Sequence, residues 1–234
     1  MKNSRVRRAV VLLSGGLDSA VSLYLARKKG FECHCLIFDY GQRHKKEIEA
    51  AAKIARRAHC HFRIIKISLP WKGSALLDKK ISVPERDNGT TGQRDNGIPD
   101  TYVPARNIIF LSFAFSYAEA LAAEAVFIGA HIHDYSGYPD CRPEFYRQFK
   151  RAIDVGTKAG VEKKKIALST PLIHKNKAEI IALGASLGVP FKLTWSCYRG
   201  GAMPCGKCDS CFYRAKGFRQ AGIADFYAAS KVVR

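Results

Sequence analysis

Two short stretches carry residue types whose spacing alone points to chemistry. Cys197, Cys205, Cys208 and Cys211 crowd together late in the chain, the last three as Cys-Gly-Lys-Cys-Asp-Ser-Cys. Four thiolates with Cys-x-x-Cys spacing suit a tetrahedral zinc ion, and a shell filled by four protein ligands makes such a metal structural rather than catalytic. Iron–sulfur clusters also use close cysteines, so the spacing leaves that alternative open. Redox-active pairing is a third, weaker use. The second stretch is Ser14-Gly15-Gly16-Leu17-Asp18-Ser19. Paired glycines leave the backbone bare, so successive N–H groups can reach phosphate oxygens, and a following helix adds its positive end. Ser14 and Ser19 offer hydroxyls, while Asp18 is placed to cap the helix or to help hold a magnesium ion. The stretch lacks Gly-Lys-Ser/Thr and Gly-x-Gly-x-x-Gly, so it is neither a Walker loop nor a dinucleotide fingerprint. The expected ATP contact runs from Leu13 through Ser19 into the helix residues Ala20, Val21, Ser22 and Leu23.

The elements around these stretches set where they must lie. Ala9–Leu13 is a short β-branched apolar run, and Leu17–Lys29 has helical spacing and stops at Gly30, so the loop joins a strand to a helix. Cys35–Phe38 and Phe62–Ile67 read as further strands, with a helix over His44–Arg57 between them. Ile108–Ala123, Pro143–Lys158 and Lys177–Leu187 read as helices, and Val126–Ala130 and Ile166–Leu172 as strands. Alternating strands and helices predict a Rossmann-like α/β fold with a parallel sheet covered on both faces. Residues 70–102 break the pattern, with Asp87-Asn88-Gly89 and Asp95-Asn96-Gly97 as turn signals; so long a loop reads as a mobile lid. The division expected is a nucleotide domain over 1–192 and a cysteine-rich lobe with a terminal helix over 193–234. Ligands of such sheets bind at the carboxyl ends of the strands. Ser14–Ser19, Asp39–Arg43, His131–Arg142 and His174–Lys177 all fall there.

Composition narrows the class. With 47% hydrophobic and 25% charged residues, the chain is neither disordered nor membrane-like. No apolar run approaches a spanning length, and Ala9–Leu13 is interrupted by Ser14-Gly15-Gly16 before a signal-peptide core can form. A cytoplasmic protein is expected. The formal charge of +19, from 39 Lys and Arg against 20 Asp and Glu, favours polyanionic ligands in general. The cations are scattered, so nucleic-acid binding stays open without being favoured. Cys33, Cys35, Cys60 and Cys141 are dispersed and read as small buried hydrophobes.

The phosphate loop resembles that of the N-type ATP pyrophosphatases, in which it grips the leaving pyrophosphate while a substrate oxygen attacks the α-phosphorus. Three more stretches narrow the resemblance: Asp134-Tyr135-Ser136-Gly137-Tyr138-Pro139-Asp140-Cys141-Arg142, Thr170-Pro171-Leu172-Ile173-His174 ahead of Lys177-Ala178-Glu179, and Thr194-Trp195-Ser196-Cys197. Together they are similar to the 7-cyano-7-deazaguanine synthase family of the queuosine pathway, over nearly the whole chain. The resemblance implies an adenine nucleotide alpha hydrolase-like fold, one structural zinc, and Mg-ATP, 7-carboxy-7-deazaguanine and ammonia as substrates. The carboxylate would be adenylated, displaced to an amide, and activated again to leave the nitrile. With no length for a glutaminase, free ammonia is the expected nitrogen source. Charge that develops on leaving groups needs cations, for which Arg106, Lys177 and the loop amides are the candidates.

For the base, Asp134 or Asp140 would accept its paired N–H donors and Tyr135 or Tyr138 would stack on it. Ser136 and Arg142 complete the run, whose alternative reading is a turn with structural aspartates. His131, His133, Asp39, Gln42 and Cys141 are weaker candidates, and Arg199 and Arg214 are read as solvent-facing. Leu17 stands where the family often has Gln, and Ala105 where it usually has Gly. A homodimer follows by analogy alone. The second reading is a tRNA-thiolating relative, which would normally carry an added RNA-binding domain.

Overall fold

The computed structural model describes residues 6–85, 97–132 and 137–227. In chain order the elements are β1 (Arg8–Leu12), α1 (Leu17–Lys28), β2 (Glu32–Asp39), α2 (Lys46–Arg57), β3 (His61–Lys66), α3 (Arg106–Ala120), β4 (Ala125–Phe127), α4 (Pro143–Gly156), α5 (Lys158–Val161), β5 (Ala167–Ser169), α6 (Lys177–Ser186) and α7 (Asp209–Gln220). The five strands form one sheet in the order β3-β2-β1-β4-β5, and every pairing is parallel. The chain builds outward from β1 to β3, then returns to the other side of β1 with β4. The order therefore reverses between β1 and β4, which is where a ligand crevice opens in such sheets.

Period-two alternation of side chains divides the core between the two faces. Ala9, Val11 and Leu13 face one way with Cys35 and Ile37, against Val21, Ile54, Ile180 and Ile181 of α1, α2 and α6. Val10, Leu12, Leu36 and Phe38 face the other way, against Leu111 and Phe115 of α3 and Tyr146 of α4. Burial on both faces explains why β1 reads as a continuous apolar run.

Several boundaries depart from the sequence reading. Helix α3 starts at Arg106 rather than Ile108, because Ala105 takes a left-handed conformation (φ 54°) and the Asp140 carboxylate accepts the Asn107 N–H at 3.2 Å. Strands β4 and β5 have three residues each. Ile128 still donates to the Ser169 carbonyl at 3.0 Å, but Gly129 then passes so close to α1 that a Cβ there would lie 2.7 Å from the Asp18 backbone. The chain leaves the sheet at that point. Helix α4 stops before Lys158 because Thr157 is extended and its hydroxyl caps α5, accepting from the Gly160 N–H at 3.1 Å.

Of the loop read as a lid, residues 86–96 lie outside the described residues. Its described flanks are anchored: Ala75 is fully buried and donates to the Asp100 carbonyl at 2.8 Å, and the Arg43 guanidinium donates to the carbonyls of Asp78 (3.0 Å) and Ile81 (2.6 Å). Helix α7 packs on α6 at Gly217, where a Cβ would sit 2.4 Å from Lys177 Cγ. No helix among the described residues is long and apolar enough to cross a membrane.

Candidate active site

The turn after β1 is shaped by its neighbours. Gly15 has φ +83°, and a Cβ on it would come within 2.2 Å of the Glu47 carbonyl oxygen and 2.7 Å of the Ala51 nitrogen. Only glycine fits against α2 there. The turn is tied by hydroxyls: Ser19 Oγ accepts from the Ser14 N–H at 3.2 Å and donates to the Gly16 carbonyl at 3.0 Å, while Ser14 and Ser19 Oγ lie 3.1 Å apart. Gly16 is the N-cap of α1 and no side chain caps it, so the first amides of the helix remain available to an anion.

Asp18 does not cap the helix. Both of its carboxylate oxygens accept from Lys177 Nζ at 2.9 Å, and Lys177 Nζ lies 2.9 Å from His131 Nε2. Lys177 reaches this position because Asn176 and Glu179 form a reciprocal capping box that opens α6 one residue earlier. Burial alone would raise the Asp18 pKa; Lys177 and then His131 outweigh it and hold the carboxyl well below the usual range. Asp18, Lys177 and His131, from α1, α6 and the segment after β4, thus meet at the switch point of the sheet.

A cleft of about 280 Å³ opens above this trio. Its lining includes Leu13, Ser14, Gly16, Leu17, Asp18 and Ser19 from the turn, Arg106 and Asn107 from α3, and Tyr138, Cys141 and Lys177. Arg106 bonds Tyr40. Burial disfavours its charge, but Tyr40, Asp140 and Tyr138 raise its pKa further above the ordinary arginine value, so the guanidinium is a permanent cation. Glu47, opening α2, also lines the cleft; burial pushes it up to about 7 against the attraction of Arg106. Cys141 is pushed up to about 11, chiefly by burial and then by Asp140, which keeps it protonated as a thiol.

The far wall comes from the C-terminal segment. Trp195 donates its backbone N–H to the Gly15 carbonyl at 2.9 Å, which brings Trp195, Ser196 and Tyr198 to the cleft. Arg214 of α7, read from sequence as solvent-facing, is 5% exposed. It makes a bidentate pair with Asp225 at 2.7 and 2.9 Å and donates to Thr194 Oγ1 at 2.8 Å. Beside this wall the sulfurs of Cys197, Cys205, Cys208 and Cys211 all lie within 4.8 Å of one another. Backbone N–H groups of Arg199 and Cys205 point at Cys197 Sγ (3.4 and 3.3 Å), and those of Lys207 and Cys208 at Cys205 Sγ (3.4 and 3.3 Å). Such donors stabilise thiolates, so the donor set fits a metal ion held by four sulfurs.

The residues singled out from sequence therefore separate. The turn residues, Arg106, Lys177 and Tyr138 converge on the cleft, whereas Ala20, Val21 and Leu23 are fully buried within α1 and, like Ser22, do not line it. Asp140 is 5% exposed and holds the start of α3, and Arg142 is exposed at the N-cap of α4. Asp134, Tyr135 and Ser136 lie outside the described residues, as does His133. Sequence reasoning placed His131 among the weaker candidates, named Trp195 only within a family-like stretch, and passed over Glu47 and Tyr198. Tyr198 directly follows the first cysteine of the knuckle, and that adjacency was the signal that could have marked it.

The model of the family described as queuosine biosynthesis protein QueC matches residues 8–222. The chain belongs to the QueC family. Relatives are close over nearly their full lengths. The 7-cyano-7-deazaguanine synthase 2 of Desulfitobacterium hafniense is 53% identical over 94% of this chain and 92% of its own. The 7-cyano-7-deazaguanine synthase of Acetivibrio thermocellus is also 53% identical, over 94% of this chain and 96% of its own. The enzyme of that name from Thermoplasma volcanium is 50% identical, over 96% and 92%.

Proposed function

We propose that this chain is a carbon–nitrogen ligase that converts 7-carboxy-7-deazaguanine, ammonia and ATP into 7-cyano-7-deazaguanine. The supporting observation is the cleft itself, where bare turn amides, a helix N-terminus and two cations converge at the switch point, in a chain about half identical to synthases of that name. The turn from Ser14 to Ser19 holds the departing pyrophosphate through its N–H groups and hydroxyls. Lys177 and Arg106 face the charge that develops as the α-phosphorus is attacked, and such preorganised groups stabilise the transition state more than the ground state. Asp18 orients Lys177 and is also placed to share a magnesium ion that accompanies ATP. Tyr138, with Asp134, Tyr135 and Ser136 of the same run, forms the base-side set, and Asp140 supports it by holding the start of α3. Zinc is the metal that suits the four sulfurs; once bound it fixes the knuckle and takes no part in the reaction.

Incubation with ATP, ammonium and 7-carboxy-7-deazaguanine should yield AMP, pyrophosphate and the nitrile, read by mass spectrometry. AMP release with tRNA and none with the base would replace this reading by RNA modification. One equivalent of zinc and no visible absorbance after anaerobic purification are expected; a brown protein would assign the cysteines to an iron–sulfur cluster.

A further inference from the structure

Two carboxylates line the cleft, Asp18 and Glu47. Asp18 is engaged by Lys177 through both oxygens. Among the described residues the Glu47 carboxylate accepts no hydrogen bond and stands in no ion pair, although Arg106, Tyr40 and Cys197 face it from α3, the end of β2 and the knuckle. Its backbone is fixed, because the Glu47 carbonyl presses on Gly15. The side chain therefore leaves α2 beside the turn at which the carboxylate of the base would be activated.

An acid with no partner of its own, inside a cleft, fits a ligand that brings donors or positive charge. The reaction offers two such ligands: the paired N–H groups of the guanine-like edge, and ammonium, the form that dominates over ammonia at neutral pH. The pKa of Glu47 is raised by burial and the carboxylate has no donor of its own, which suits a group that accepts a proton and passes it on. Its place beside the phosphate turn favours the same choice, since the nucleophile must arrive where the adenylate forms.

Resting on the function proposed above, we infer that Glu47 receives ammonium in the cleft and takes its proton, releasing ammonia to attack the activated carboxyl carbon. Ammonium and the Glu47 carboxylate become ammonia and the carboxylic acid. The nitrogen lone pair forms the N–C bond, and the C–O bond to AMP breaks with its electron pair leaving on AMP. The nitrogen loses a second proton to solvent as the adduct collapses, and Glu47 returns its own proton to solvent. No oxidant or further reactant is needed.

The test compares the wild type with Glu47→Gln, given ATP, the carboxylated base and either ammonium or hydroxylamine, a nucleophile that is already unprotonated at neutral pH. Loss of a general base costs about 10²-fold or more. Glu47→Gln should therefore form the amide and nitrile from ammonium at least about 10²-fold more slowly, regain rate as the pH is made alkaline, and still form the hydroxamate with hydroxylamine. Retained hydroxamate formation also establishes that the variant is folded. Equal losses with both nucleophiles, together with a raised KM for the base, would assign Glu47 to the base edge and overturn the inference; so would an unchanged rate with ammonium. Exchange of pyrophosphate into ATP that depends on the base, measured in the wild type, keeps the parent reaction separate: its absence would remove the proposed function itself, whatever Glu47 does.

Discussion

Lys177 holds Asp18 from an element far away in sequence, and the pair was legible as two separate candidates but not as a contact. Asp18 stood out because it follows paired glycines; Lys177 stood out because it opens a helix after a strand. What brings them together is the crossing of α1 and α6 at the switch point. Asp18→Asn should lower AMP formation by about 10²-fold while leaving metal content unchanged, because it removes the charge that orients Lys177. Kinetics together with metal analysis checks both halves.

Glu47 was illegible for a physical reason. Glu47 and Glu49 are both helix-favouring acids in the first turn of α2, and only the contact of α2 with Gly15 turns the first inward while Glu49 stays exposed. The raised pKa carries a stability cost whose sign is fixed. A glutamate at about 7 in the folded state, against about 4.3 unfolded, binds more protons when folded, so stability falls as pH rises through that window. Glu47→Gln should leave stability unchanged below about pH 4 and raise it by at most about 3–4 kcal/mol above about pH 8. Denaturant unfolding across that range measures it.

At the scale of elements, the strand–turn–helix at the start of the chain was readable because a short apolar run, paired glycines and helical spacing agree there. The start of α3 was not. Its limit is set by a left-handed Ala105 and by a carboxylate from a remote segment, neither of which has periodicity. A non-glycine residue in that conformation costs about 1–2 kcal/mol. Ala105→Gly should therefore stabilise the protein by about 0.5–1 kcal/mol, after allowing for the freer unfolded chain. Thermal unfolding would register the gain. A loss instead would mean that the α3 boundary is set by something other than this backbone. The lid-like reading of 70–102 was incomplete for a related reason: turn signals mark where helices and strands are absent, but they do not reveal that Ala75 and Val83 are buried beside the cysteine knuckle.

Across the whole molecule, the cysteine-bearing segment shares its apolar cluster with Ala50 of α2 and with Ala75 and Val83. Lys46 of α2 reaches into it as well, donating to the carbonyls of Gly201 at 2.5 Å and Ala202 at 3.0 Å. Cysteine spacing set the segment apart, and spacing along a chain does not register such shared surfaces. Since metal affinity is also folding energy, Cys208→Ser should lose the metal and lower the midpoint of the entire thermal transition, and a strong chelator should do the same. A separate early transition that leaves the remainder intact would mean that the segment folds independently. A soluble, metal-free and fully active variant would contradict the structural assignment.

The hydrogen bond from Trp195 to the Gly15 carbonyl joins the first turn of the fold to a residue near its last helix. During synthesis, Gly15 leaves the ribosome long before Trp195 exists, so the growing polypeptide carries its paired-glycine turn without the wall that completes it. Contacts this remote in sequence form late. Capture of nucleotide by ribosome-bound intermediates should accordingly begin only when the final stretch has emerged.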